Sequence, residues 1–229
     1  MRIDPAMFVH TPENQGWLRA RWLALVTHLD ADRIAADAAW DALVRHYSES
    51  HRAYHNLSHI MAMLRHADAE RQYMSQPEVV ELATWFHDII YDTHAADNEA
   101  RSASWAHHAM QAMRIDASLI VPVEQCILAT QKHETWPKAS GDLHLFLDLD
   151  LAILGSSLET YRHYSQAVRA EYSWVPLQAY CAGRSEILRR FVARSSLFFT
   201  PSMLARFEAP ARHNIAWELK ELSSLQTGK

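Results

Sequence analysis

Residues 77–91 read PEVVELATWFHDIIY, and they give the strongest indication of the architecture. Apolar side chains lie on nearly every side of a helix built from this segment, a pattern that is typical of a central, buried helix. An adjacent polar pair, His87 and Asp88, interrupts the apolar run. Burying a carboxylate is costly unless it is paired, hydrogen-bonded or metal-bound. The segment therefore predicts a central helix over about 78–91. Its His-Asp pair either presents both side chains to one metal ion or lies at a solvated helix end with the His packed in the core.

Amphipathic helical patterns flank this segment on both sides. Capping residues before apolar residues at helical spacing predict helices that start after Thr11, after Asp30 or Asp32, and after Asn56 or Ser58. Later helices are predicted over about 97–113, from Pro122, and over about 142–154, 158–172, 177–193 and 210–222. No repeat or long linker divides the chain. We expect one all-α domain over residues 1–229, with a core of about 17–155 and a helical extension of about 156–222.

Composition excludes several other classes of protein. Glycine is scarce, at 5 of 229 residues, and neither Asn-Gly nor Asp-Gly occurs, so a turn-rich β fold or a Rossmann domain is disfavoured. The net charge of −5 and the lack of a basic block argue against a nucleic-acid partner. Without a long apolar run or a signal-peptide core at residues 1–5, we expect a cytoplasmic protein with no membrane partner. Cys126 and Cys181 form no disulfide framework.

A second polar signal is the histidine pair in YHNLSH, residues 54–59. His55 and His59 are four residues apart, near a predicted helix start, and such a pair can chelate a metal ion. Asn56 stands where an HExxH zinc protease carries its general-base Glu, so that class is disfavoured. From the spacing alone, metal ligation and two solvent-exposed histidines remain equally open.

A third signal is the acidic pair in DLHLFLDLDLAILG, residues 142–155. The helical face of Asp150 also carries Leu147, Ile153 and Leu154, so its carboxylate would lie in an apolar stripe and would need a cation. The face of Asp148 is more polar and includes His144. We therefore expect Asp150 to be a buried functional carboxylate and Asp148 to be a surface acid.

Taken in order, His59, the pair His87-Asp88 and Asp150 resemble the HD superfamily of metal-dependent phosphohydrolases. In that superfamily a His early in one helix, an adjacent His-Asp pair and a distant Asp bind a divalent cation. The resemblance favours His59 over His55, because an apolar helical run follows His59. Segments similar to a bacterial group labelled predicted metal-dependent HD phosphohydrolases are YHNLSH (54–59), FHDIIYD (86–92), NEARS (98–102), VRAEY (168–172) and ARHNI (211–215).

The resemblance implies an all-α HD-domain fold and a phosphomonoesterase or phosphodiesterase. Its substrate would be a small phosphorylated metabolite, most plausibly a nucleotide, attacked by a metal-activated water. The mixed N/O ligand set suits Mn²⁺, Fe²⁺, Co²⁺ or Mg²⁺, and also Zn²⁺. Asp92 or Glu99 could accept the proton of the water. Candidates for a substrate contact or a second metal ion are His55, His133, Arg52 and Lys132.

Two alternatives differ in their chemistry. One is an HD-like module that binds a metal ion and senses a nucleotide without turnover. The other is a di-iron HD oxygenase, which needs further histidine ligands, and His107, His108 and His133 lie in the corresponding interval. Alarmone hydrolysis is disfavoured, because Tyr91-Asp92 stands where those enzymes carry a Glu-Asp pair.

Overall fold

The computed structural model describes residues 11–227, which form helices and turns without a β-strand. The predicted all-α class is therefore confirmed. No helix among these residues has both the length and the apolar character needed to cross a bilayer. The helices are α1 (Pro12–His28), α2 (Arg33–Tyr47), α3 (Leu57–Glu70), α4 (Pro77–Phe86), α5 (Asn98–Ala112), α6 (Ala117–Ala129), α7 (Gly141–Leu151), α8 (Leu158–Glu171), α9 (Leu177–Val192) and α10 (Pro201–Thr227), with short 3-10 helices at Arg71–Tyr73 and Ala152–Gly155.

The first three helix starts follow from the predicted capping residues. Thr11 caps α1, Asp32 caps α2 and Asn56 caps α3, each through a side-chain oxygen that accepts a backbone N–H of the first turn. These bonds satisfy donors that a helix leaves without an internal partner. The choice between Asp30 and Asp32, and between Asn56 and Ser58, is thereby resolved.

Two predicted helix boundaries at prolines are wrong. Helix α6 begins at Ala117 rather than at Pro122, because Asp116 accepts the amide of Ser118 and caps an earlier start. Helix α10 begins at Pro201 rather than near Pro210. Both internal prolines lie inside a helix, where each removes one backbone hydrogen bond without ending the helix.

The central helix is also shorter than predicted. Helix α4 ends at Phe86, and His87 is its C-terminal capping residue rather than an interior position. Side chains satisfy the last carbonyl groups: the Tyr47 hydroxyl donates to the carbonyl oxygen of Trp85 at 3.0 Å. Asp88 and Asp92 do not share a helical face, because the chain is no longer helical there.

Contacts divide the chain into two compact units, of which the first ends at Leu147 and the second begins at Asp148. The boundary falls within α7. The expectation of one domain, with a core to about 155 and an extension beyond it, stays a prediction. The expectation that residues 1–5 contain no signal peptide lies outside the described residues.

In the first unit, α4 packs against α3, α5 and α6. Its aromatic core is built on Trp22 and Trp85, whose rings meet edge to face with centroids 5.6 Å apart. The Trp22 indole also donates to the carbonyl oxygen of Ala36 at 3.0 Å, so its polar atom is satisfied inside the core. This packing fixes the carboxyl end of α4, where the candidate site lies.

In the second unit, α10 packs against the 3-10 helix, α8 and α9. Gly155 is required at the closest approach, because a Cβ atom there would lie 2.6 Å from the carbonyl oxygen of Phe207. A buried polar network joins the remaining helices: Glu218 accepts from the Tyr161 hydroxyl and from the Arg184 guanidinium. The buried carboxylate is thus paired, as burial requires.

Candidate metal centre

His59 lies in the first turn of α3, a position that the Asn56 cap determines. Its side chain is buried, with 4% of its surface exposed. Its Nδ1 atom is hydrogen-bonded to the Tyr54 hydroxyl at 3.0 Å. When Nδ1 donates this bond, Nε2 keeps its lone pair and can bind a metal ion, the usual second contact of a metal-binding histidine.

A carbonyl group near the end of α4 determines which nitrogen of His87 carries the proton. Its Nδ1 atom lies 3.0 Å from the carbonyl oxygen of Thr84, which can only accept, so Nδ1 carries a proton. In the neutral imidazole, Nε2 is then the unprotonated nitrogen. The ring is 1% exposed and packs edge to face against Phe146, at a centroid distance of 5.8 Å. Backbone and packing therefore both aim Nε2 in one direction.

The two Nε2 atoms converge with a carboxylate. His59 Nε2 and His87 Nε2 are 3.2 Å apart, and Asp88 Oδ2 lies 3.0 Å from His87 Nε2. His87 Nε2 thus lies beside two further atoms that can each offer a lone pair, at a largely buried place. Such an arrangement is stabilised by a cation or by shared protons, because lone pairs that face each other repel.

The last turn of α7 contributes a carboxylate to a ligand group with the two histidines, and Asp88 is not part of this group. One ligand atom each from His59, His87 and Asp150 lie within 4.8 Å of one another, and among the described residues this group could hold a metal ion. Asp150 is half-buried rather than enclosed in an apolar stripe, so the predicted exclusion from water does not hold. The roles of these residues and of Asp88 as ligands stay predictions.

Asp148, on the opposite side of α7, is not the surface acid that was expected. It is 0% exposed and accepts three hydrogen bonds, from the Phe199 amide at 2.8 Å and from the Thr200 amide and hydroxyl at 2.7 Å each. Burial raises the pKa of Asp148 to about 6 although these donors oppose the rise. Asp148 thus caps the start of α10.

The two predicted proton acceptors lie outside the ligand group. Asp92 is exposed, and its Oδ1 atom accepts the amide of His94 at 2.9 Å in a tight turn. Glu99 is half-buried in the first turn of α5, where the helix dipole stabilises a carboxylate. Their assignment as catalytic groups therefore stays a prediction.

Arg52 makes its hydrogen bonds inside the protein, and its assignment as a substrate contact stays a prediction. Its side chain is 0% exposed, and its guanidinium donates to Glu49 and to three backbone carbonyl groups. With these donors used inside the protein, the geometry favours a structural role over a phosphate contact. Lys132 is exposed, in the turn that follows α6.

The other candidate histidines differ in their distance from the centre. The His55 ring lies 4.2 Å from the Tyr91 ring and 6.1 Å from the His59 ring, measured between centroids, so it borders the ligand group. His133 has a left-handed backbone, with φ of 47°, and follows the end of α6. It lies beyond the last helical residue, Ala129, and therefore shares no helical face with Cys126.

Two further histidines considered for a second metal ion have other partners. His107 Nδ1 lies 2.8 Å from Glu124 Oε1, and His108 Nδ1 lies 2.6 Å from the carbonyl oxygen of Ser104. Neither belongs to the ligand group among the described residues. The described residues thus present one centre.

Sequence reasoning missed the groups that orient the histidines. Tyr54 and the Thr84 carbonyl fix the two rings, and Arg52 holds the loops that carry them. No local pattern identifies a backbone carbonyl as an orienting group. The tyrosine five residues before His59 was a possible signal, since a tyrosine hydroxyl can complete a histidine's second hydrogen bond.

No family model, curated protein or solved structure matches this chain.

Proposed function

We propose that this protein is a metal-dependent phosphohydrolase of the HD type that acts on a small phosphorylated metabolite, most plausibly a nucleotide. The observation that carries the proposal is the contact of His87 Nε2 with both His59 Nε2, at 3.2 Å, and Asp88 Oδ2, at 3.0 Å, in residues that follow the order of the HD pattern. The placement of Asp150 in one ligand group with His59 and His87 supports it.

The donor set fits a divalent ion of borderline to hard character. It consists of imidazole nitrogen and carboxylate oxygen, and neither Cys126 nor Cys181 belongs to the group. Such mixed sets suit Mn²⁺, Fe²⁺, Co²⁺ or Zn²⁺, whereas an ion that prefers thiolate ligands would need cysteine. Mg²⁺ is also compatible with the carboxylates. A bound ion would lower the pKa of a coordinated water and stabilise charge on the phosphoryl group.

The protein's own residues would divide the remaining tasks. The Thr84 carbonyl keeps His87 Nε2 unprotonated, and the Tyr54 hydroxyl does the same for His59 when it accepts from Nδ1, so the two rings are already oriented for an ion. Burial of both rings keeps competing water from these nitrogens. Asp92 and Glu99 remain the carboxylates proposed to accept a proton from the attacking water.

One centre rather than two is favoured by the positions of His107 and His108, which have other partners. This supports hydrolysis with a single ion over di-iron oxygen chemistry. A sensor without turnover shares the same centre and is separated from a hydrolase by kinetics alone.

The test combines metal analysis with a phosphate-release screen on mono-, di- and cyclic nucleotides. We expect about one divalent ion per chain and release of phosphate from at least one substrate. Asp88→Asn, which keeps the shape of the side chain, should lose both. Asp116→Asn is the matched control, because an amide also caps α6.

Bound metal without any turnover would overturn hydrolysis and support the sensor. Two irons per chain with visible absorption would support the oxygenase. Retention of full metal content by Asp88→Asn would remove Asp88 from the ligand set.

A further inference from the structure

Arg52 connects the two chain segments that carry the candidate ligands. One segment precedes α3 and ends at His59, and the other follows α4 and contains His87 and Asp88. From a single buried guanidinium, Nη1 donates to the carbonyl oxygens of His55 at 3.1 Å and Asp88 at 2.6 Å. The two segments are therefore joined through one nitrogen atom.

The remaining contacts hold the guanidinium in one orientation. Nη2 donates to the carbonyl oxygen of Ile89 at 2.9 Å, and Nε donates to Glu49 at 2.9 Å. The rings of Tyr47 and Tyr91 lie on the guanidinium, with centroid distances of 5.1 and 5.4 Å. A planar fork with several fixed donors suits this task, and a lysine ammonium cannot reproduce it.

We infer that Arg52 is a positioning residue of the metal centre: it sets the separation between His59 and the His87-Asp88 pair. This inference rests on the proposed metal centre, because it concerns the affinity of that centre for an ion. Asp88 is itself held, through its carbonyl oxygen, by the same nitrogen that holds the carbonyl oxygen of His55. Other contacts also join the two segments, such as His51 Nε2 with the carbonyl oxygen of Tyr91 at 2.8 Å, but the bond from Arg52 holds the backbone of Asp88 itself. Without that bond, the position of the His87-Asp88 pair is less well defined before the ion binds.

A second arginine provides a matched control. Arg212 makes the same kind of contacts, with Nε to Glu208 and with its terminal nitrogens to the carbonyl oxygens of Val192, Arg194 and Ser195. These contacts join the end of α9 to α10 and include no candidate ligand. Replacing Arg212 therefore removes equivalent hydrogen bonds without touching the ligand segments.

The experiment measures the Kd for Co²⁺ and the visible spectrum of bound Co²⁺ in the full chain, for the wild type, Arg52→Lys and Arg212→Lys. We expect Arg52→Lys to weaken binding about 10-fold or more, in the range found when outer groups of metal sites are removed, and to alter the ligand-field bands. Arg212→Lys should change neither. A purely stabilising role of Arg52 would lower thermal stability but leave the spectrum unchanged.

A second variant tests the same point by rescue. Arg52→Ala leaves a space that free guanidinium can fill, so guanidinium should restore Co²⁺ affinity in this variant and not in Arg212→Ala. If Arg52→Lys fails to fold, Glu49→Gln replaces it, since it loosens Nε while keeping the arginine. Unchanged affinity in a folded Arg52 or Glu49 variant overturns the inference. A wild type that binds no Co²⁺ instead overturns the metal centre itself.

Discussion

Replacing Asp148 with alanine tests how the protein positions the end of α7. The carboxylate accepts the amides of Phe199 and Thr200 and is fully buried. Without it, two partly buried N–H groups lose their partner, at about 1–3 kcal/mol each. The free energy of unfolding of the wild type, with Asp148 protonated, should therefore exceed that of Asp148→Ala by about 4 kcal/mol.

The size of this loss should depend on pH. Burial raises the pKa of Asp148 from 3.8 to about 6 in the folded protein. Between these values the folded state holds a proton that the unfolded state has released, so stability falls as the pH rises. A difference of about 2 pKa units corresponds to about 3 kcal/mol, of which about 2 kcal/mol is lost between pH 4.5 and 7.5. Asp148→Ala lacks this dependence.

Urea unfolding of the wild type and of Asp148→Ala measures the effect, with a chelator present so that metal binding does not contribute. The difference in free energy of unfolding should shrink by about 2 kcal/mol from pH 4.5 to pH 7.5. Asp150→Ala provides the control for a change elsewhere on the same helix. A difference that stays constant, or that grows with pH, would refute the assignment of Asp148 as a buried cap with a raised pKa.

Two further predictions concern packing and the buried network of the second unit. Gly155→Ala should lower the free energy of unfolding by about 2 kcal/mol or more, because the new Cβ atom would meet the backbone of Phe207. Gly183→Ala should raise the free energy of unfolding by about 0.5–1 kcal/mol, because Gly183 lies inside α9 with open space around it. Thermal unfolding checks this pair, and equal melting temperatures would contradict it. Tyr161→Phe should lower the free energy of unfolding, measured in urea, by about 1.5–3 kcal/mol, because the buried Glu218 carboxylate loses the hydrogen bond that the Tyr161 hydroxyl donates. Wild-type stability in this variant would show that the bond contributes nothing.

The parts of the fold that depend on local chemistry could be predicted from the sequence. Thr11, Asp32 and Asn56 cap their helices because a side-chain oxygen reaches an amide only two or three residues away. The end of α4 could not be predicted in this way. It depends on Tyr47 and Arg52, which are distant in sequence and reach the helix end only after the chain has folded.

The acidic pair of α7 shows the same limit at the candidate site. Helical periodicity correctly separated Asp148 and Asp150 onto different faces, and it favoured Asp150 for the ligand group. It misjudged which acid is buried, because the partners of Asp148 are the amides of Phe199 and Thr200, far along the chain. Apolar neighbours on a face cannot reveal an amide that arrives from another helix.

The most direct test of the central claim is an anomalous difference map from a crystal of the protein loaded with Co²⁺. We predict a single strong peak about 2.0–2.2 Å from the Nε2 atoms of His59 and His87, with carboxylate oxygens of Asp88 and Asp150 completing the ligand set. A peak elsewhere, or no peak while the two imidazoles remain in direct contact at 3.2 Å, would contradict the metal centre.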